Sequence, residues 1–253
     1  MTGLIKAELI KLAKRRTYWV LVLVLAALVA LLAGVFFLLP RVISEDSGFP
    51  VVAKPDAYLL GAQQVLGQTW FPIILATMYL AGELATSAWA TTLTRNSRRW
   101  QHLLARVITT TTASWVAMIM AVAGFSVIAL LLAEGTGSLQ PSEWGAIVWK
   151  SLLVQLTWVS LGLAASAWLR SVGPAIGATL AFSFGETLLG LWEGWRNISL
   201  SIHTSALLGS LDVGGFGPLL GEPASFSKAL TVTLSWAAAA LLAAWAGLQL
   251  RDA

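Results

Sequence analysis

The chain has 253 residues, of which 57% are hydrophobic and only 11% are charged. A soluble domain carries roughly 25% charged residues, and the mean hydropathy here is +0.78. Composition therefore excludes a soluble globular protein and predicts one that crosses a membrane several times. The net charge of +4 is small and fits orientation in a bilayer better than binding of nucleic acid. The chain has no cysteine, which excludes disulfides and thiolate metal sites.

Residues 1–17 predict an amphipathic helix that lies in the headgroup plane before the chain enters the membrane. Ile5, Leu9 and Leu12 share one helical face, and basic residues fill the other. The basic residues are Lys6, Lys11, Lys14 and Arg15. The alternative is a positively charged flank that only anchors the first span. Both interpretations place the N-terminus in the cytoplasm.

Apolar runs predict six membrane-spanning helices in a single all-α transmembrane domain over residues 1–253. A helix of about 20 residues crosses the roughly 30 Å of hydrocarbon in a bilayer. The predicted spans lie at about residues 18–39, 58–82, 107–133, 146–168, 172–192 and 228–250. Residues 193–227 form the longest predicted outside segment. Within it, Leu200, Leu207, Leu208 and Leu211 suggest a short helix that dips into the outer interface.

The distribution of lysine and arginine predicts that both termini lie inside. With six spans, the inner side holds eleven basic residues: Lys6, Lys11, Lys14, Arg15, Arg16, Arg95, Arg98, Arg99, Arg106, Arg170 and Arg251. The outer side holds five: Arg41, Lys54, Lys150, Arg196 and Lys228. This excess on the inner side follows the positive-inside rule. We expect a multi-pass protein of the inner or plasma membrane of a prokaryotic cell.

Residues 83–106, between the second and third spans, cannot sit comfortably in lipid and predict a cytoplasmic helical hairpin. A short helix at about residues 84–93 would come first. In the second helix Arg99, His102 and Arg106 occupy one face. Apolar residues occupy the other face at helical spacing, namely Trp100, Leu103, Leu104, Val107 and Ile108. The alternative is an ordinary basic loop that orients the protein and does little else.

Four polar residues inside predicted spans are candidates for a transport pathway. Gln63, Gln64 and Gln68 lie in the second span, where an amide that faces lipid is costly, so we expect them to face the bundle interior or a hydrated path. Glu186 is the only acidic residue deep inside a predicted span, and an intramembrane carboxylate must be paired, hydrated or protonated. The alternative for Glu186 is a hydrated position near the outer mouth with no chemical role.

Small residues recur every four positions in the fifth span, at Gly173, Gly177, Ala181 and Gly185. Such a stripe lets another helix approach closely, and we interpret it as a packing surface.

No sequence motif predicts a catalytic, cofactor or metal site in this chain. Gly61 and Gly67 resemble the glycines of a phosphate loop, but five residues separate them and Gln68 stands where that motif requires lysine. His102 and His203 fall on opposite predicted sides of the membrane and have no accompanying ligands. We expect that the chain does not hydrolyse ATP by itself.

The layout resembles the permease subunit of a type-2 ABC transporter of the exporter-like class, over essentially the whole chain. The basic amphipathic start is LIKAELIKL at residues 4–12, followed by RRTYW at residues 15–19. The loop after the second span carries the family's acidic, small, leucine and basic pattern at Glu83, Ser87, Leu93, Arg95 and Arg98. The chain departs from relatives in having Ser87 where glycine is frequent and no basic residue near Ala90.

The resemblance implies that the hairpin is a coupling helix that docks in a groove of a separate ABC ATP-binding subunit, which carries ATP and Mg. The docking residues would be Glu83, Trp89, Leu93, Arg95, Arg98, Arg99 and Trp100. It also implies a second permease copy, identical or related, with the substrate path between the copies. The first, second and fifth spans are candidates for lining that path.

Three functions remain open at this point. The first is a transport subunit that moves a hydrophobic or amphiphilic compound, such as a peptide, drug or lipid-like molecule, outward. The second is an ion-coupled carrier or channel that works alone and uses Glu186. The third, a membrane enzyme acting on lipids, ranks last because it needs at least two convergent catalytic groups inside the spans and the sequence offers one.

Overall fold

The computed structural model describes residues 1–42, 54–86, 89, 99–133, 139–190, 192–209 and 224–250. Within these ranges the chain forms helices with short connections and no strand. The helices are α1 (Thr2–Ala13), α2 (Arg16–Val42), α3 (Lys54–Leu66), α4 (Trp70–Ala85), α5 (Arg99–Leu132), α6 (Pro141–Leu169), α7 (Val172–Leu189), α8 (Glu193–Arg196), α9 (Leu200–Leu208) and α10 (Phe226–Leu250).

Among the described residues, six helical stretches are long and apolar enough to cross a membrane, which confirms the predicted all-α class and matches the six predicted spans in number. They are Arg16–Leu38, Ala57–Ala85, Arg99–Leu132, Pro141–Leu169, Val172–Leu189 and Phe226–Leu250. The second stretch is built from α3 and α4, and each of the others from a single helix. The six stretches indicate a multi-pass membrane protein.

The two ends of the helical bundle differ in charge. One end holds α1, the last turn of α4, the first turns of α5 and the turn between α6 and α7, where Arg170 adopts the left-handed conformation with φ 52°. We call it the basic end, because Lys11, Arg15 and Arg106 meet there. The other end holds α8 and α9, where Lys228 donates to the Asn197 side chain at 2.7 Å.

The second span is broken in the middle, which the sequence analysis did not predict. Helix α3 ends at Leu66, α4 begins at Trp70, and residues 67–69 between them are not helical. Pro72 explains the break because it has no N–H to offer the carbonyl of Gln68, four residues earlier. In the structure Pro72 falls in the first turn of α4, where a helix tolerates proline because the N–H groups there lack helical partners.

Side chains from other helices replace the hydrogen bonds that the break removes. The Gln155 amide on α6 donates to the freed carbonyl of Leu66 at 3.3 Å and accepts from the Ser114 hydroxyl on α5 at 2.6 Å. Both side chains are fully buried. Because an unpaired backbone group in lipid costs several kcal/mol, this relay makes the broken span tolerable inside the bundle.

The half of the broken span that is farther from the basic end, α3, is joined to α9. The Gln63 amide donates to the carbonyls of Leu208 and Gly209, at 3.2 and 2.9 Å. These are the carbonyls at the C-terminal end of α9, which is capped by Gly209. The φ of Gly209 is 75°, in the left-handed region that glycine favours at a helix cap. The short helix predicted from Leu200, Leu207, Leu208 and Leu211 is present at Leu200–Leu208, where its three leucines are buried, and Leu211 lies outside the described residues.

The predicted hairpin differs in its second half. Helix α5 runs from Arg99 to Leu132 without interruption, so residues 99–106 are the first turns of the third spanning helix and not a separate element. The first half overlaps α4, which continues to Ala85. Residues 87, 88 and 90–98 of the predicted hairpin lie outside the described residues.

We predict that Gln155→Leu destabilises the protein, because it leaves the Leu66 carbonyl and the Ser114 hydroxyl buried without this partner. The expected loss is about 1–3 kcal/mol of unfolding free energy, measured as a lower thermal midpoint in a mild detergent. Gln64→Leu is the matched control, since Gln64 is only half-buried. Equal midpoints for the two variants would contradict a structural role for the relay.

Candidate functional site

A buried carboxylate with three cations occupies the basic end. Glu83, on the last turn of α4, has 3% of its side chain exposed and forms salt bridges with Lys11, Arg15 and Arg106. The Arg15 Nη2 to Glu83 Oε1 distance is 2.7 Å, and Arg106 binds the other oxygen, Oε2. This single carboxylate thereby connects α4 to α1, to the turn that follows α1, and to α5.

A second carboxylate anchors α1 to the same place. The Tyr79 hydroxyl, one turn before Glu83 on α4, donates to the Glu8 carboxylate and lies 3.1 Å from the Glu8 backbone oxygen. Glu8 is 5% exposed, and Leu12 packs beside it in the core. We call the six residues Glu8, Lys11, Arg15, Tyr79, Glu83 and Arg106 the α1 ion cluster.

Aromatic rings complete the surroundings of Arg106, which is fully buried. Its guanidinium carbon lies 4.6 Å from the Trp89 ring centre and 5.5 Å from that of Tyr79. Its Nε and Nη1 have no hydrogen-bond acceptor among the described residues, so ring faces are the neighbours of those groups. Desolvated cation–π contacts are worth about 2 kcal/mol, which partly offsets the cost of burying the charge.

The Trp89 side chain is buried within this protein and does not lie on its surface, where a partner would contact it. It is 3% exposed and packs with Leu80, Leu103 and Leu163, while its ring meets His102 edge to face at 6.0 Å. We call residues 86–100, from the end of α4 to the first residues of α5, the elbow.

The start of α5 buries its charged face and exposes part of its apolar one. His102 and Arg106 are buried, whereas Trp100, Leu104 and Ile108 are exposed at i, i+4 and i+8, with Trp100 53% exposed. Such an arrangement suits the edge of a membrane, where the apolar face meets lipid or a partner and the charged face pairs within the bundle.

Arg99 joins the elbow to the last helix. Its Nη1 donates to the Leu248 carbonyl at 2.8 Å, near the C-terminal end of α10. A cation at this position pairs with a helix carbonyl and with the negative end of the helix dipole. The predicted docking residues Leu93, Arg95 and Arg98 lie outside the described residues, so their roles stay predictions.

The predicted pathway residues fall in different places. Gln68 lies in the break of the second span and accepts from the Trp70 indole at 3.1 Å. Gln64, one turn earlier, is half-buried. Glu186 is 1% exposed on α7, far along the chain from both. The structure does not show these three side chains in contact.

Glu186 has a structural partner. Its Oε2 accepts from the backbone N–H of Ser201 at 2.9 Å, in the first turn of α9, where Ser199 caps the helix. A carboxylate is favourable there because the first N–H groups of a helix lack helical partners. The other oxygen, Oε1, has no hydrogen-bond partner among the described residues.

The sequence analysis missed the partnership between α1 and Glu83, although the spacing carried a signal. Glu8, Lys11 and Arg15 fall at i, i+3 and i+7 on one face of α1, and Tyr79 and Glu83 at i and i+4 on α4. Residues at these spacings are neighbours on a helix. The face of α1 that packs against the bundle is therefore this ionic one, with Leu12, and Leu9 stays exposed.

Comparison with known proteins does not assign this chain to a family. No protein-family model matches the sequence, and no curated protein matches it.

We predict that Glu83→Gln destabilises the protein by about 3–5 kcal/mol, because removing one partner of a buried ion pair leaves the others uncompensated. The measurement is the thermal midpoint in detergent, together with amide hydrogen exchange of residues 2–13, which should lose protection when α1 detaches.

Glu193→Gln is the control, because Glu193 is exposed on α8 at the other end of the bundle. It should change the unfolding free energy by no more than about 0.5 kcal/mol. Unchanged protection of residues 2–13 in Glu83→Gln would show that the ion cluster does not hold α1.

Proposed function

We propose that the chain is the membrane-spanning permease subunit of an ATP-driven transporter of the type-2 ABC class. It exports a hydrophobic or amphiphilic compound and is powered by a separate ATP-binding subunit docked at the elbow. ATP and Mg belong to that partner. The proposal rests on the sequence resemblance and on the physical arrangement of the basic end.

The α1 ion cluster is the observation that supports the proposal best. A subunit driven from outside needs a rigid connection between the docking surface and the spans. Glu83 supplies such a connection, because its carboxylate ties the helices on both sides of the elbow, α4 and α5, to α1. Movement applied to the elbow would reach three elements together.

The elbow offers suitable chemistry for a protein partner. Trp100, at its edge, exposes about half of its surface, and tryptophan and arginine are the residues most often found at interface hot spots. Arg95 and Arg98 lie in the elbow, and a guanidinium binds a carboxylate through two parallel hydrogen bonds. We therefore infer a partner groove with an apolar pocket and carboxylates.

A second copy of the permease fits the surface of α7. A Cβ atom added at Gly173, Gly177 or Gly185 would meet nothing within 4 Å, so none of these glycines is packed against another helix of the described chain. Small residues let two helices approach closely in a membrane. In the proposed assembly two permeases meet about a two-fold axis, and the fifth span helps to line the path between them.

We predict that Trp100→Ala weakens binding of the ATP-binding subunit by about 30-fold, since loss of a hot-spot side chain costs about 2 kcal/mol. Arg95→Glu and Arg98→Glu together should uncouple ATP hydrolysis from transport, because they place negative charge against the proposed carboxylates. The measurements are co-purification, affinity in nanodiscs, and ATPase activity compared with transport in proteoliposomes.

Trp192→Ala is the matched control for this experiment. Trp192 is 67% exposed but lies beyond the end of α7, opposite the elbow. It should leave affinity and coupling unchanged. A complex that keeps full affinity and full coupling in the elbow variants would refute the docking role.

The second candidate is an ion-coupled carrier or channel that works alone, favoured by the buried Glu186, whose Oε1 has no hydrogen-bond partner in the described part of the chain. Its distinguishing experiment is transport without nucleotide. Our proposal predicts no transport without nucleotide, and predicts that Glu186→Gln keeps ATP-driven transport within a few-fold, because the amide oxygen still accepts from Ser201. Nucleotide-independent transport that stops in Glu186→Gln would favour the carrier instead.

A further inference from the structure

Two cavities adjoin the break in the second span, one on each side. The chain is not helical between Leu66 and Trp70, so consecutive residues point in different directions. Gly67 and Thr69 line a cavity of about 440 Å³, whereas Gln68 and Trp70 line a groove of about 270 Å³. Alternate residues of the stretch 67–70 therefore line the two spaces, and no described residue lines both.

Six hydroxyl groups are among the lining of the larger cavity, beside apolar surface. They come from the break, from α7 and from α9, and belong to Thr69, Ser183, Thr187, Ser201, Thr204 and Ser205. The other described lining residues are Gly67, Phe184 and Leu188. Among the described lining residues there is no charged side chain.

These hydroxyls form pairs across the cavity wall. Thr69 and Ser183 are 2.9 Å apart, and Thr187 and Ser201 are 3.3 Å apart. A hydroxyl has one donor and two acceptor positions, so a paired hydroxyl still has capacity to bind a ligand. Glu186 acts here as a positioning residue, because its bond to the Ser201 N–H holds the start of α9 against α7.

The smaller groove is apolar. Six residues of α2 between Leu25 and Val35 form one wall, and Val65 on α3 contributes to the other together with Trp70. Gln68 supplies the polar edge of the groove, next to the break. The α2 wall is partly open to the surroundings, since Leu28 is 45% exposed and Leu31 is 65% exposed.

We propose that the break in the second span is a binding site for an uncharged amphiphile, whose hydroxylated head group occupies the cavity and whose alkyl chain occupies the groove. This inference rests on the proposed function, in which the ligand is the transported substrate. A charged head group is disfavoured because burying a charge without a partner is costly. A hydrocarbon is disfavoured because it would leave the hydroxyl wall without a ligand hydrogen bond.

Two kinds of molecule have this chemistry. One is a neutral glycolipid of the bilayer, which has two alkyl chains, and the other is a glycoside with a single alkyl chain. The experiment uses an alkyl glucoside with a diazirine near the end of its chain, bound to the full-length protein in phosphatidylcholine nanodiscs. Mass spectrometry locates the labelled residues. Competitors are the unlabelled alkyl glucoside, a dialkyl glucoside, an alkyl trimethylammonium and an alkyl phosphate of the same chain length.

We expect saturable labelling of residues 25–35 and 65–70 that either glucoside competes away and that the two charged amphiphiles do not. The glucoside that competes at lower concentration identifies the source. Thr187→Val should raise the half-saturating concentration about fivefold, the effect of losing one neutral hydrogen bond. Leu28→Trp should abolish saturable labelling by filling the groove.

Matched controls separate the site from general effects on folding. The Thr187 hydroxyl also donates to the carbonyl four residues earlier, that of Ser183, at 2.9 Å. Thr231→Val removes a hydroxyl that makes the same bond, to the Ser227 carbonyl at 2.8 Å, but lies on α10 outside the cavity. Leu23→Trp adds the same indole to an exposed position of α2 outside the groove. Both should label like the unmodified protein.

Equal competition by all four amphiphiles, or identical labelling in Thr187→Val and Thr231→Val, would overturn the inference. Binding needs no ATP-binding subunit, so its failure can be distinguished from failure of the proposed function. If the glucoside does not bind while the elbow variants still disrupt the complex, only the substrate site is wrong. If it binds and no partner docks, the site stands without the transporter assignment.

Discussion

The carboxylate of Glu83 is the interaction on which the basic end of this protein depends. A carboxylate at the end of a spanning helix, with 3% of its side chain exposed, loses most of its hydration and needs compensation from the protein. Three cations provide that compensation: Lys11 on α1, Arg15 in the turn after α1, and Arg106 on α5. The requirement to pair one charge therefore fixes where α1, α4 and α5 lie relative to one another.

The same constraint acts on backbone groups deeper in the bundle. Lipid provides no water to pair the carbonyls that are left free where a helix stops, so amide side chains pair them instead. Gln155 pairs with the break itself, and Gln63 pairs with the end of α9. Glutamines within spans need not line a path. In this protein two of them complete the hydrogen bonding of helices that end inside the bundle.

The sequence was sufficient to predict the class of fold and the number of spans, because long apolar runs have few alternatives in a membrane protein. It was insufficient to predict contacts between ionic faces. The pattern around Trp100 to Ile108 indicated an amphipathic helix, but periodicity does not say which face is buried. At the basic end the structure buries Arg106 and exposes Trp100, since a charge that faces lipid costs far more than an indole that faces lipid.

The missed break in the second span had a local signal in Pro72, but the signal was ambiguous. Membrane helices often accommodate proline when neighbouring groups pair the released carbonyl. Whether the helix bends or stops depends on groups such as Gln155, which lies far along the chain from Leu66. Long-range pairing of this kind follows from the packing of helices and not from any window of sequence.

The broken span also has a mechanical consequence. An uninterrupted helix transmits a tilt of one end directly to the other. In this protein α4 is fastened through Glu83 and Tyr79 and α3 through Gln63, with only three residues as a joint between them. The two halves can then behave as separate levers, so that a displacement introduced at the basic end is absorbed or redirected at mid-depth before it reaches the far surface.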